Sequence, residues 1–338
     1  MRDRPRASEG LRPVRWLSAL VILCAGCGGS PPAKKAPPAE VAIVHAAPAP
    51  KKAPVLAPLP DRHAKLSFKL GELVPVPLVH GTISGEPTWM LLDSGAGTHF
   101  MSDWMAKRAN VKQKKTKTEV ADHARVTLNV TLADRSLITI EQWGRLIPGE
   151  LLVVDGDEGG IAAKAGIGVV LSPQELEDDR AVILELDRGE IRTGSEAEAV
   201  KALAARKVGF DPDDIEFCHG VFSIAAHVEG EAVRLTVDTG SADTDLFSLT
   251  KPGRALSPKS VPTKFKAETA SGPIVTRTYK NAKIMIGALK LRKDITLIPG
   301  APEIDCPVDG VIGIDILRSC VLVFGSKQGK LRMSCAEK

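Results

Sequence analysis

Residues 85–102 read GEPTWMLLDSGAGTHFMS, and residues 230–248 read GEAVRLTVDTGSADTDLFS. Both stretches open Gly-Glu and reach an aspartate, Asp93 or Asp238, eight residues after the glycine. Asp, Ser and Gly together favour a tight turn, so either tripeptide alone reads as the end of a strand and nothing more. An Asp-Ser/Thr-Gly tripeptide met twice, each time after a matching apolar strand, reads as a duplication.

Two further echoes lie downstream. Leu146-Ile147-Pro148-Gly149 recurs as Leu297-Ile298-Pro299-Gly300. The run from Gly166 to Leu171 resembles Val311 to Leu317, aligning Gly168 with Gly313 at the 145-residue spacing of the two aspartates. Each run precedes a strand-like segment, AVILEL in the first half and CVLVF in the second. Elsewhere short alternating apolar stretches such as PVPLVHGTI, RVTLNVTL, FSIAAHVEG and AKIMIG are punctuated by turns, the pattern of strands. The expected fold is all-β, with a first lobe over residues 63–194 and a second over 210–338. Between them, residues 195–209 read as a linker helix opened by a capping box of Ser195 and Glu198.

Two lobes, each with Asp-Ser/Thr-Gly after an apolar strand and an apolar-apolar-Gly segment later, resemble the aspartic proteases. The bilobal arrangement is similar to the pepsin type, while the lobe length and the segment GVIGIDIL look more like retroviral-type protease subunits. The likeness runs over roughly residues 65–335. It implies an aspartic-type endopeptidase, a hydrolase whose catalytic pair is Asp93 and Asp238. Two carboxylates about 3 Å apart cannot both ionise cheaply and hold one proton between them. Such a pair activates a water without metal, cofactor or covalent intermediate. By the same resemblance, Ser94 and Thr239 direct hydroxyls across the lobe interface. Gly95 and Gly240 let the backbone approach the carboxylates. Ser241 is placed to hydrogen-bond its lobe's aspartate, which Ala96 cannot do. Gly168 and Gly313 pack beneath the loops, and Val170 stands where the second lobe has Asp315. Family members close hairpin flaps over an extended substrate. The corresponding tips here are Ala121-Asp122-His123, without a glycine or the pepsin-type tyrosine, and Ala270-Ser271-Gly272.

The N-terminus reads as an export signal. Arg2, Arg4, Arg6, Arg12 and Arg15 precede the apolar WLSALVILCAG, which is followed by Cys27. Ala25-Gly26-Cys27 resembles a bacterial lipobox, with Cys24 where that motif usually has Leu, so residues 1–27 are expected to be a signal and Cys27 the lipidated residue. Residues 28–62, dominated by Pro and Ala, form a semi-extended tether. The expected protein is a monomeric body on a membrane tether in the bacterial cell envelope, on the outer or inner membrane and facing the periplasm or exterior.

Four cysteines remain in the second half: Cys218, Cys306, Cys320 and Cys335. In an exported chain they suggest two disulfides, with three connectivities open. Cys320 and Cys335 flank an expected hairpin, which favours Cys320–Cys335 with Cys218–Cys306.

Other readings are weaker. The net charge of +4 and the 4% aromatic content give no basic, aromatic face for nucleic acid, and the tract 113–118 reads as a solvated loop. Asp155 to Gly160 lacks the rest of a calcium loop. His99, beside Asp93, reads as a solvent-facing strand residue. The rival functions are a non-catalytic peptide-binding envelope lipoprotein of the same fold and a structural envelope protein. The first needs neither carboxylate, and the second leaves the paired motifs unexplained.

Overall fold

The computed structural model describes residues 22–24 and 61–337, apart from 69–74, 117–118, 122–126, 135–136, 147–149, 156–160, 178, 264–266, 270–271, 301–305 and 326–329. Alternation along Glu86–Leu92 buries Thr88, Met90 and Leu92 on one face, as period two requires of a strand. The Gly-Glu that opens each repeat is the exit of a hairpin turn. Ser84 and Gly85 have φ of 49° and 92°, and Glu229 and Gly230 have φ of 53° and 88°. Two successive positive φ angles match the right-handed twist of the flanking strands.

Each lobe is built around the same three-strand arrangement. In the first, Ile167–Leu171 lies parallel to Glu86–Leu92 and antiparallel to Phe100–Ser102. In the second, Gly310–Ile312 lies parallel to Glu231–Val237 and antiparallel to Asp245–Phe247. The segment from each aspartate to the next strand therefore has to arch over the end of an inserted strand. That geometry places both aspartate loops at a sheet end. Among the described residues the surrounding sheets have nine strands in the first lobe and eight in the second. Met90, Leu92 and Leu171 in one lobe and Leu235, Val237 and Ile312 in the other are buried in one continuous core.

A third sheet joins the lobes. Its six strands run, in order, Val208–Gly209, Leu331–Cys335, Cys320–Phe324, Ala181–Glu185, Glu190–Gly194 and His63–Lys65. At its centre Val182 faces Phe324 and Glu185 faces Val321, so the two strand-like runs of the duplicated halves pair with each other. The linker helix is Glu196–Ala204, and its capping box forms: Ser195 N–H donates to Glu198 Oε2 at 2.7 Å. Ala199 and Ala202 pack the helix on Ile183, Val321 and Val323. Arg206, just beyond it, bonds Glu185 and Asp187 at 3.2 and 2.6 Å, a buried tie from linker to sheet.

Of the three sequence echoes, one does not coincide in space and one coincides in a shifted register. Leu297 and Ile298 pair with Leu246 and Phe247, whereas the first-lobe strand in that position is Leu152–Val154, alongside Phe100–Ser102. Leu146 lies elsewhere, opposite Ile138, so the Leu-Ile-Pro-Gly recurrence is not a structural repeat. The Gly168–Gly313 alignment is also out of register. Asp93 N–H donates to Leu171 O and Asp238 N–H to Ile312 O, which makes Leu171 the counterpart of Ile312 and Ser172 the counterpart of Gly313. The repeat spacing falls from 145 residues at the aspartates to 141 here.

Cys218 is bonded to Cys306 and Cys320 to Cys335. Cys320 and Cys335 face each other across the hairpin of Cys320–Phe324 and Leu331–Cys335. Hairpins stand at both expected flap positions, Glu119–Ala121 with Thr127–Leu128 and Ala267–Thr269 with Gly272–Ile274. Asp122, His123, Ala270, Ser271, Cys27 and the tether through residue 60 lie outside the described residues. Within the expected leader, Ile22–Cys24 pairs with Glu119–Ala121, using the edge that the flap strand leaves open, so this short piece touches the fold rather than standing apart from it. Among the described residues no helix is long and apolar enough to cross a membrane.

Candidate active site

Asp93 and Asp238 each follow the last residue of a buried strand and are anchored through the backbone. Asp93 N–H reaches Leu171 O at 2.9 Å, and Asp238 N–H reaches Ile312 O at 3.1 Å. Both side chains are buried. One oxygen of each is held by its own loop. Gly95 N–H donates to Asp93 Oδ1 at 2.8 Å, and Ser241 N–H donates to Asp238 Oδ1 at 3.0 Å. Oδ2 of each takes no hydrogen bond from a protein donor, leaving one oxygen per carboxyl for a shared proton and a reactant. The loops come together so closely that a Cβ on Gly240 would stand 2.5 Å from Cγ of Asp93. Gly240 is therefore glycine because the other lobe's carboxyl lies against its Cα.

The hydroxyls expected to cross the interface do so. Ser94 Oγ donates to Val237 O at 2.7 Å and accepts Thr239 N–H at 3.1 Å. Thr239 Oγ1 donates to Leu92 O at 2.7 Å and accepts Ser94 N–H at 3.0 Å. All four bonds are between lobes, and each hydroxyl uses its one proton and a lone pair. Exchange of this kind fixes the relative position of two carboxyls borne on separate sheets.

Burial raises both acids. Asp93 is pushed up to about 6, with partial offset from the neighbouring Asp238 carboxyl and from the nearby N–H groups of Gly95, Gly240 and Ala96. Asp238 is raised well above the ordinary carboxylate range, first by burial and then by the charge of Asp93. The two titrate as one system, and its apparent values belong to the pair.

A second group of acids lies behind Asp238. Asp245 is fully buried and neither of its oxygens is well bonded. Burial raises it well above the usual range, the charges of Asp243 and Asp315 raise it further, and the Thr296 side chain offsets part of this. Asp315 is raised to about 6, again by burial, with relief from the Thr244 hydroxyl at 2.7 Å and from Lys293. A carboxyl whose folded pKa exceeds its unfolded value binds more protons when folded, so stability is full below about pH 4 and declines as pH rises through the folded value. Asp245→Asn keeps the shape and removes the ionisable proton. Its melting temperature is expected to exceed the parent's by about 3 °C or more at pH 7.5 and to match it near pH 4, read by calorimetry at both pH values.

Several sequence expectations are corrected at this site. His99 is buried rather than solvent-facing: its Nδ1 accepts Ser172 N–H at 3.0 Å and its Nε2 lies 3.3 Å from Glu175 O. Loss of hydration pushes the ring down to about 4, so it is neutral and structural. The Ser241 hydroxyl does not reach Asp238; it donates to Asp243 O at 2.7 Å, and the backbone N–H serves the carboxyl instead. Gly313 packs against the aspartate loop, where a Cβ would lie 2.3 Å from Asp243 O. Gly168 does not: its close neighbours are Met105 and Thr88. In the corrected register, the first-lobe counterpart of Asp315 is Gln174 and not Val170. Sequence reasoning missed Gln174, whose buried amide touches the Asp93 loop.

Comparison with known proteins agrees with the first lobe. A family described as aspartyl protease matches residues 79–159, a span that contains Asp93 and the hairpin of Glu119–Ala121 with Thr127–Leu128. The crystal structure of aspartic proteinase from Irpex lacteus is similar with a TM-score of 0.49 and 12% identity, over 82% of this chain and 98% of that one. No curated protein sequence matches the chain. The paired lobes and their exchanged hydroxyls, together with the family match, make this an all-β protein of aspartic-protease architecture. Among the described residues no group of three or more His, Cys, Asp or Glu is arranged to hold a metal ion.

Proposed function

We propose that the protein is an aspartic endopeptidase, active as a single chain, with Asp93 and Asp238 as its catalytic pair. The observation that carries this reading is the cross-lobe hydroxyl exchange at Ser94 and Thr239, which joins two buried aspartates into one site. A pure peptide binder has no need of two desolvated carboxyls, each with one oxygen left without a protein donor.

In the reaction, the singly protonated pair holds a water. The ionised carboxyl takes a proton from it as its oxygen attacks the scissile carbonyl carbon, and the protonated carboxyl donates to the carbonyl oxygen. The resulting gem-diol collapses as the C–N bond breaks. The amine leaves with a proton from one carboxyl, the other carboxyl recovers a proton from the diol, and the products are a carboxylic acid and an amine. Burial sustains the one-proton state well above the pH at which exposed carboxylates lose theirs. Substrate lies extended between the lobes, its backbone paired with the hairpin at Ala267–Thr269 and, once Ile22–Cys24 leaves with the export signal, with the edge it frees on Glu119–Ala121.

The N-terminal part of the reading places the enzyme. Residues 1–27 direct export, Cys27 carries lipid, and the tether holds a monomeric body off a membrane of the bacterial envelope. Mass spectrometry of the mature N-terminus tests this directly.

The test of function is cleavage of a mixed peptide library by the purified protein from about pH 3 to 8, with products identified by mass. Defined cleavage sites support an endopeptidase. Peptides bound but uncut at every pH would favour the peptide-binding lipoprotein instead.

A further inference from the structure

The two aspartate loops are held from below by different chemistry. In the second lobe, Ile314 N–H donates to Ser241 O at 2.7 Å and Asp315 N–H to Ala242 O at 3.1 Å. The first-lobe counterparts of Ile314 and Asp315 are Pro173 and Gln174, counting from Leu171 and Ile312. Proline has no N–H, so the backbone cannot serve Ala96 O, the counterpart of Ser241 O. The side chain of Gln174 does so instead. Its Nε2 lies 2.8 Å from Ala96 O, 3.3 Å from Ser94 O and 2.9 Å from Gly220 O. Three carbonyls converging on one end of the amide require the nitrogen there.

Each of these contacts has a consequence. Ser94 C=O and Gly95 N–H belong to one planar peptide unit, and that N–H donates to Asp93 Oδ1 at 2.8 Å. A donor on the carbonyl side orients the unit and strengthens its N–H as a donor. Gly220 is in the second lobe, in the turn between Ile215–Cys218 and Val221–Val228, whose Cys218 is bonded to Cys306. The same amide thus ties the Asp93 loop to the opposite lobe, at a point separate from the Ser94–Thr239 exchange. Gly220 is packed so closely here that a Cβ on it would fall 2.9 Å from Gly97 Cα.

We propose that Gln174 is the positioning residue of Asp93, replacing the backbone donor that Pro173 lacks and aiming the Gly95 N–H at the carboxyl. This inference rests on the endopeptidase reading. The titratable side chain facing Asp93 is Asp238. On the Gln174 side stand His99, engaged by Ser172 N–H, and Glu175, whose carboxylate accepts the Thr98 hydroxyl.

The test compares the full-length parent with Gln174→Met, which keeps volume but has no donor, and with Pro173→Ala/Gln174→Met, which restores a backbone N–H. Kinetics on a cleaved peptide are read beside the pH titration of the Asp93 carboxyl, followed by carbon-13 NMR and assigned with Asp93→Asn. Gln174→Met is expected to lose about tenfold or more in kcat with KM little changed. Its acid limb and its Asp93 titration are expected to move to higher pH, since a weaker Gly95 N–H favours the ionised form less. The double variant is expected to recover much of both. Should Gln174→Met not fold, Gln174→Asn, too short to reach Ala96 O, takes its place in the same comparison. Parent-like kcat and titration in the variant overturn the proposal, as does lost activity with an unmoved Asp93 titration and no recovery by Pro173→Ala. A parent that cleaves nothing contradicts the endopeptidase reading alone, and the Asp93 titration then decides the role of Gln174: shifted upward in Gln174→Met supports it, unmoved overturns it.

Discussion

Asp93→Asn and Asp238→Asn are each expected to lower kcat on a cleaved peptide by about a thousandfold or more, and neither variant is expected to melt below the parent at pH 7. The first effect follows from the division of labour in the pair, where one carboxyl must be ionised and the other protonated. An asparagine in either position is locked in a neutral state and cannot move a proton. The second effect separates chemistry from folding. Both acids are buried and raised by that burial, so neutral asparagine removes a desolvation cost that the parent bears as pH rises. Initial rates and calorimetric melts on the same preparations check both parts. A loss of activity accompanied by a lower melting temperature would point to a structural role.

The second large effect is expected from Gly240→Ala. Its Cβ would stand 2.5 Å from Asp93 Cγ and 2.5 Å from Oδ2. The carboxyl has little freedom to withdraw, since Gly95 N–H holds its other oxygen at 2.8 Å. Either the carboxyl rotates or the loops separate, and both disturb the hydroxyl exchange one residue away at Thr239. A displacement of order 1 Å at reacting groups costs about a hundredfold in rate. The measurement is kcat beside Gly209→Ala, where a Cβ meets nothing within 4 Å and no comparable loss is expected.

The parts of the site that were legible in the sequence are those where chemistry is local. Asp93-Ser94-Gly95 and Asp238-Thr239-Gly240 each close a strand of recognisable period, so their duplication shows at once. The hydroxyl exchange at Ser94 and Thr239 was implied by the family resemblance that the two tripeptides carry. The Cys320–Cys335 bond follows from a hairpin short enough to place both cysteines at its open end. What was illegible depends on spacing that changes between the repeats. The offset shrinks by four residues between the aspartates and the inserted strands, and the two most visible echoes, at Gly168 and at Leu146 to Gly149, both suggested a false register. Hydrogen-bond register alone identifies Ser172 and Gln174. The available signal was Pro173, a residue without an N–H two places after the strand Ile167–Leu171, followed by a side chain that supplies one. Burial was the other hidden quantity. Asp245 and His99 are residue types usual at the surface, and only packing shows that both are enclosed, which favours the neutral form of each.

The central claim is that Asp93 and Asp238 together face the position of a scissile peptide bond. The most direct test is calorimetric binding of a statine-type peptide, whose hydroxyl occupies the place of the attacking water, to the parent, Asp93→Asn and Asp238→Asn. The account predicts tight binding to the parent and a loss of about a hundredfold or more in each variant, since a hydroxyl placed between two carboxyls loses charge-assisted bonds in both. Equal affinity for all three proteins would mean that peptides bind away from the aspartates, and would contradict the claim.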